Sequence, residues 1–201
     1  MNEMFLAAQE ELSRRDEAGQ SPRSDLGTEE EYQTAQEVLE GTIVKARDSY
    51  ESHKARFLGY FLVAVLYNEN QDLAEAFLQL GLAERLTFQQ YVLLRFFELV
   101  TENPELLDLS SEAFGHNPSK ETAELMLPIL DLFQLGLLTE ETGDERPATG
   151  GLASRYGGTG ISLSNPAGIR LSLAGSRLAQ NLCLDRVPRQ FISAIELRLR
   201  A

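Results

Sequence analysis

A single cysteine, Cys183, stands in 201 residues, so no internal disulfide framework and no cysteine-rich zinc site can form. The two histidines, His53 and His116, have no second histidine or cysteine at metal-ligand spacing. HExxH and GxSxG are both absent, which removes the usual signatures of zinc hydrolases and serine hydrolases. Lysine is confined to Lys45, Lys54 and Lys120. A phosphate-binding loop needs a lysine and a hydroxyl leading into a helix, whereas Gly157–Gly158–Thr159–Gly160 leads into a predicted strand. Long apolar runs are missing too. The strongest, around Phe57 to Leu66, covers about ten residues, half of the roughly 20 that a bilayer needs. The first residues carry acids from Glu3 onward and no uninterrupted apolar core, so no secretory signal is expected and the cytoplasm is the expected location. These absences together predict a protein that is not an enzyme and needs no cofactor or metal.

What is present is material for a core. Hydrophobic residues make up 43% and charged residues 24%, the balance of a folded domain and not of a disordered chain. The organisation reads as three parts: residues 1–27, an N-terminal helix and linker; residues 28–138, an acidic helical bundle; and residues 139–201, a glycine-rich loop, β-hairpin and basic C-terminal element. Phe5, Ala8 and Leu12 mark one face of the first helix, and Asp16–Gly27 reads as the linker. Thr28 with Glu31 forms a capping box. From Tyr32 through Ala35, Leu39, Ile43, Ala46, Tyr50, His53 and Phe57 to Phe61, apolar positions recur every three or four residues, the stripe of one long helix. His53 lies on that stripe and is expected as a packed core residue. Gly41 and Gly59 mark close helix approach or a break. Leu73, Phe77 and Leu80 predict the inward face of a shorter helix. Thr87 and Gln90 repeat the capping box before a nearly all-apolar helix that ends at Asn103–Pro104.

Ser119 is placed to cap a helix running to Leu135, with Pro128 inside it and Gly136 as its C-terminal glycine. Thr139–Gly160 reads as a long connection. Ile161–Ser164 and Ile169–Leu173 alternate about Asn165–Gly168 as a β-hairpin. Ser172 starts a short helix through Leu184, within which Cys183 is a small buried hydrophobe. Phe191–Arg200 fits either element, and the alternation of IELRLR favours a strand. The fold class is therefore mainly α: a helical bundle with a C-terminal winged-helix-like β-hairpin element.

Charge is unevenly distributed. Residues 1–145 hold 10 basic and 29 acidic residues, a net of −19, while residues 146–201 hold 8 basic and 2 acidic, a net of +6. Arg155, Arg170, Arg177, Arg186 and Arg189 are the candidate nucleic-acid or partner contacts. Three readings follow: the basic part docks on the acidic body, within the chain or across a dimer; it contacts nucleic acid through the hairpin; or the charge has no function. The acidic body opposes the second, since phosphates within a Debye length of roughly 8–10 Å would be repelled.

Two stretches carry a family resemblance. One is HKARFLGYFLVAVLYNENQDLAEAFLQLGLAERLTFQQYVLLRFF (His53–Phe97). The other is LFQLGLL (Leu132–Leu138) followed by a loop, a hairpin and LSLAGSRLAQNLC (Leu171–Cys183), with Ser172 and Gly175 at the threonine and glycine of a leucine-threonine-x-x-glycine run. The order resembles Abi-alpha, a bacterial helical family associated by name with abortive phage infection. The LGLL–hairpin–LSxxG ending is also shared with many winged-helix proteins. The resemblance covers about half the chain and implies a non-enzymatic, bacterial or phage-related protein of phage defence, working through a protein partner or self-association. It brings no catalytic residues. The alternative is a winged-helix DNA-binding regulator in which Arg170 and Arg177 contact phosphates.

Overall fold

A short polar cap, a glycine at a turn and a 3.6-residue apolar stripe decide most of this chain's local structure. The computed structural model describes residues 2–24, 28–48, 51–69, 71–103, 119–140 and 168–200. Among them the chain is mainly helical. The elements are α1 (Asn2–Glu17), α2 (Glu29–Asp48), α3 (Ser52–Tyr67), α4 (Leu73–Arg85), α5 (Phe88–Glu102), α6 (Lys120–Gln134), β1 (Leu138–Glu140), β2 (Ile169–Leu171), α7 (Leu173–Asn181), a 3₁₀ turn at Leu184–Arg186 and α8 (Arg189–Arg200). The chain divides into two compact units, Met1–Tyr91 with Arg177–Arg186, and Val92–Ser176 with Val187–Ala201.

In the first unit α3 is central: eleven of its residues, from Lys54 to Val65, are buried, and α1, α2 and α4 pack on it. The expected single long helix is in fact two. Glu51 is extended (φ −98°, ψ 103°) and leads into α3, and its carboxylate accepts the Phe88 N–H at 2.6 Å. In the sequence the three- and four-residue spacing of apolar positions runs unbroken across this point, so periodicity alone does not register it. Both glycines of the stripe serve close approach. A β-carbon on Gly59 would lie 2.3 Å from the Met4 carbonyl oxygen, and one on Gly41 would lie 3.2 Å from Leu80 Cδ2. The Gly59 contact also rotates α1 away from its expected face. Met4, Ala7, Ala8 and Glu11 are buried, whereas Phe5 and Leu12 are exposed. Small alanines meet the backbone of α3 where bulkier side chains would hold the helices apart.

The capping residues act as the sequence predicts. Thr28 and Glu31 exchange hydrogen bonds at 3.0 and 3.2 Å, and Thr87 and Gln90 do so at 2.8 and 3.2 Å. Tyr91, fully buried, donates its hydroxyl to the Ala83 carbonyl at 2.7 Å. Several apolar expectations fail here: Tyr32 and Leu39 of the stripe are exposed, α2 burying Val38 and Thr42 along with Ala46. Phe77 is exposed rather than inward. His53 is exposed as well, its ring stacked 5.0 Å from that of Phe88.

The second unit holds the buried run Val92–Leu94, Phe96, Phe97 and Val100, with Leu125, Ile129 and Leu132 of α6. Ser119 Oγ accepts the Thr122 N–H at 3.1 Å. Gly136, at φ +70°, closes α6 through Gly136 N–H to Phe133 O and Leu137 N–H to Leu132 O, both 2.9 Å, the paired bonds of a glycine C-cap. That turn feeds β1, which pairs antiparallel with β2 in the register Leu138 with Leu171 and Glu140 with Ile169. Thr139 and Glu140 are thus strand, not loop. β2 lies within the expected second hairpin strand, while Ile161–Ser164 falls outside the described residues, as do Asn165–Ala167, the loop glycines and His116. Ser172 caps α7, accepting the Gly175 N–H at 3.0 Å and donating to the Gly136 carbonyl at 2.6 Å. A β-carbon on Gly175 would stand 2.1 Å from the Leu137 carbonyl oxygen. Residues 189–200 form a helix, not a strand. Ile192, Ile195 and Leu199 are buried three and four residues apart, and Thr122 donates its hydroxyl to the Arg198 carbonyl at 2.9 Å.

Candidate functional site

Of the arginines singled out by charge asymmetry, Arg177, Arg186 and Arg189 are met by carboxylates. In the first unit, Cys183 adopts φ +50° just after α7, a left-handed turn that is uncommon outside glycine and asparagine. The turn delivers Arg186 to α1. Its Nη2 lies 2.5 Å from Glu11 Oε2 and its Nη1 3.2 Å from Glu10 Oε1, and the guanidinium carbon stands 4.6 Å from the centroid of the Tyr60 ring, a cation–π arrangement.

Glu11 is completely buried. It also accepts from Arg14 Nε and Nη2 at 2.9 and 2.6 Å and from Arg15 Nε at 2.7 Å. Burial opposes its ionisation. The hydrogen bonds from Arg14 and Arg15, with the charge of Arg186, outweigh that and hold the carboxyl below the usual range. Glu10 receives Arg56 Nη2 at 2.7 Å, while Arg56 Nε donates to the Tyr60 hydroxyl at 2.9 Å. Four arginines, two glutamates and one tyrosine thus form a single network. Beside it the Cys183 thiol is pushed up to about 11, by burial first and then by Glu11 and Asp185, so it stays protonated at neutral pH.

Arg177 projects from α7 onto Glu75 of α4, Nη1 lying 2.9 and 3.1 Å from the two carboxylate oxygens. Asn181, one turn further on, donates to Gln79 Oε1 at 2.6 Å, and Gln79 in turn donates to Glu75 at 3.0 Å. Elsewhere in this unit Lys54, largely buried, donates to the Glu84 carbonyl in the last turn of α4. Burial lowers its pKa, against the raising charges of Glu51 and Glu84.

In the second unit Arg170 sits mid-strand in β2, its Nη1 donating to the Ile169 carbonyl at 3.0 Å. Arg189 pairs with Glu196 of its own helix at 3.3 Å, and Arg198 pairs with Glu124 at 2.9 Å. Arg155 lies outside the described residues. Arg177 and Arg186 therefore share a unit but engage different helices, α4 and α1, instead of forming one cationic patch. Sequence reasoning missed Glu11 and Tyr60 as the receivers of Arg186. The available signal was an acid at the third and fourth position before Arg14 and Arg15, on the alanine face of α1. Among the described residues no cluster of three or more histidine, cysteine, aspartate or glutamate side chains is placed to hold a metal ion, and no helix is long and apolar enough to cross a membrane.

No protein-family model matches the chain, and neither a curated protein nor a solved structure shows significant similarity to it.

Proposed function

We propose that this chain is a non-enzymatic protein-interaction protein of bacterial or phage origin, acting in phage defence through a protein partner or self-association. What favours the interaction reading over nucleic acid is the pairing of Arg186 with buried Glu11, repeated in kind by Arg177 with Glu75. These cations neutralise the chain's own acids, which leaves them poorly placed to neutralise phosphates. The defence role follows from the Abi-alpha resemblance of His53–Phe97 and Leu132–Cys183.

The second reading, a winged-helix DNA-binding regulator, draws on the antiparallel β1–β2 pair carrying Arg170 and followed by a serine-capped helix. Against it stands α6, the helix just before the pair. It carries Glu121, Glu124 and Asp131 against Lys120, with Arg198 paired to Glu124, a poor complement to a major groove flanked by phosphates. Titration of labelled duplex DNA with the full chain at low and at physiological salt separates the two. The interaction reading predicts no retention even at low salt. Affinity that rises steeply as salt falls, and drops in Arg170→Ala, would establish the regulator instead.

A further inference from the structure

A groove of about 450 Å³ lies along the first unit, lined from α2 by Glu37, Glu40, Gly41, Val44 and Lys45 and from α4 by Phe77 and Glu84. The two helices come together where Gly41 faces Leu80. Beside that contact two apolar side chains stay in water, Val44 at 44% and Phe77 at 49% exposure. One turn from Phe77, a β-carbon on Gly81 would meet nothing within 4 Å, so the α4 surface between Phe77 and Glu84 is open. The rim is anionic. Lys45 is held by Glu84, and Glu40 takes a hydrogen bond from the neutral Gln36 amide at 2.8 Å. Among the described residues, neither Glu37 nor Glu40 has a cationic partner.

An apolar centre with two uncompensated carboxylates beside it is complementary to an apolar anchor flanked by cations, and it repels a phosphate backbone. We propose that this groove binds a basic amphipathic segment of a partner protein, seating one apolar side chain on Val44 and Phe77 and pairing lysine or arginine side chains with Glu37 and Glu40. The assignment rests on the interaction reading above and adds to it a place and a partner chemistry.

The probe is a fluorescein-labelled Lys–Leu amphipathic peptide, titrated with the full chain and followed by anisotropy. Spermine, a cation without an apolar anchor, serves as competitor. The tested positions are solvent-facing, and circular dichroism confirms that each variant is folded. Phe77→Ala and the pair Glu37→Gln/Glu40→Gln should each weaken binding by about tenfold. The pair Glu29→Gln/Glu30→Gln, an equal charge change outside the groove, should alter it by less than about twofold. Equal weakening by both glutamate pairs would mean diffuse attraction to an acidic chain and overturn the assignment. So would competition by spermine at the peptide's own concentration. A self-association that Phe77→Ala abolishes would give the groove to a second copy and overturn it likewise. Failure of the peptide while the chain still holds a stoichiometric protein partner removes the groove alone, whereas retention of duplex DNA removes the interaction reading itself.

Discussion

Replacing Glu11 by alanine tests the network that anchors Arg186. The side chain is fully buried and accepts from three guanidiniums. Breaking a buried pair by removing one member costs about 3–5 kcal/mol when the remaining charge stays dry. Here the side chains left behind are 56% (Arg14), 16% (Arg15) and 19% (Arg186) exposed, so each can recover part of its hydration. The expected loss is therefore about 2–3 kcal/mol. In a chain of this length that corresponds to a fall of about 4–12 °C in the melting temperature. Urea denaturation followed by circular dichroism should show a lower midpoint at unchanged slope. The cycle with Arg186→Ala should return a coupling of about 1–2 kcal/mol.

The pH dependence has a definite sign. The folded carboxyl titrates below its unfolded value, so the unfolded chain takes up the proton first as pH falls. Stability from Glu11 is fully present above the unfolded value of about 4.5 and is lost as pH drops through the folded one. The gap between wild type and Glu11→Ala should be constant near neutrality and close under acid. A loss below about 0.5 kcal/mol, or a gap that widens on acidification, would refute the reasoning.

Other outcomes follow from the same contacts. Gly59→Ala and Gly175→Ala each force a β-carbon into a backbone carbonyl and should cost about 1–3 kcal/mol in thermal melts; no change in either would mean that the helices separate freely there. Ser172→Ala removes both the α7 cap and the bond to Gly136, for about 1–2 kcal/mol by urea titration. At pH 8 a thiol of ordinary acidity is about a quarter thiolate, and one near 11 about a thousandth. Cys183 should accordingly react with iodoacetamide over about 100-fold more slowly in the native chain than in urea, as read by mass spectrometry.

Local chemistry made much of the fold legible in sequence. The reciprocal caps Thr28–Glu31 and Thr87–Gln90, the serine caps and the glycine closing α6 depend only on residues within one turn of each other, so their spacing suffices. What stayed hidden depends on distant partners. Which face of α1 is buried is set by Gly59, more than fifty residues on. The break at Glu51 leaves the three- and four-residue spacing of apolar positions in the sequence unbroken. Phe191–Arg200 ends in the alternating IELRLR and also repeats every three or four positions, and it is the burial of Ile192, Ile195 and Leu199 that selects the helix. At the candidate site the charge asymmetry was visible, and so were the arginines. Their partners were not, because Glu10, Glu11 and Glu75 look like ordinary helix-surface acids until the turn at Cys183 and the register of α7 bring Arg186 and Arg177 to them.

The most direct test is the mass in solution of the full chain isolated from the cells that make it, measured by light scattering after size exclusion and coupled to identification of bound protein. A chain that works by contact should elute as a defined oligomer or with a stoichiometric polypeptide partner. A strict monomer at every concentration, accompanied by no other protein, would contradict it.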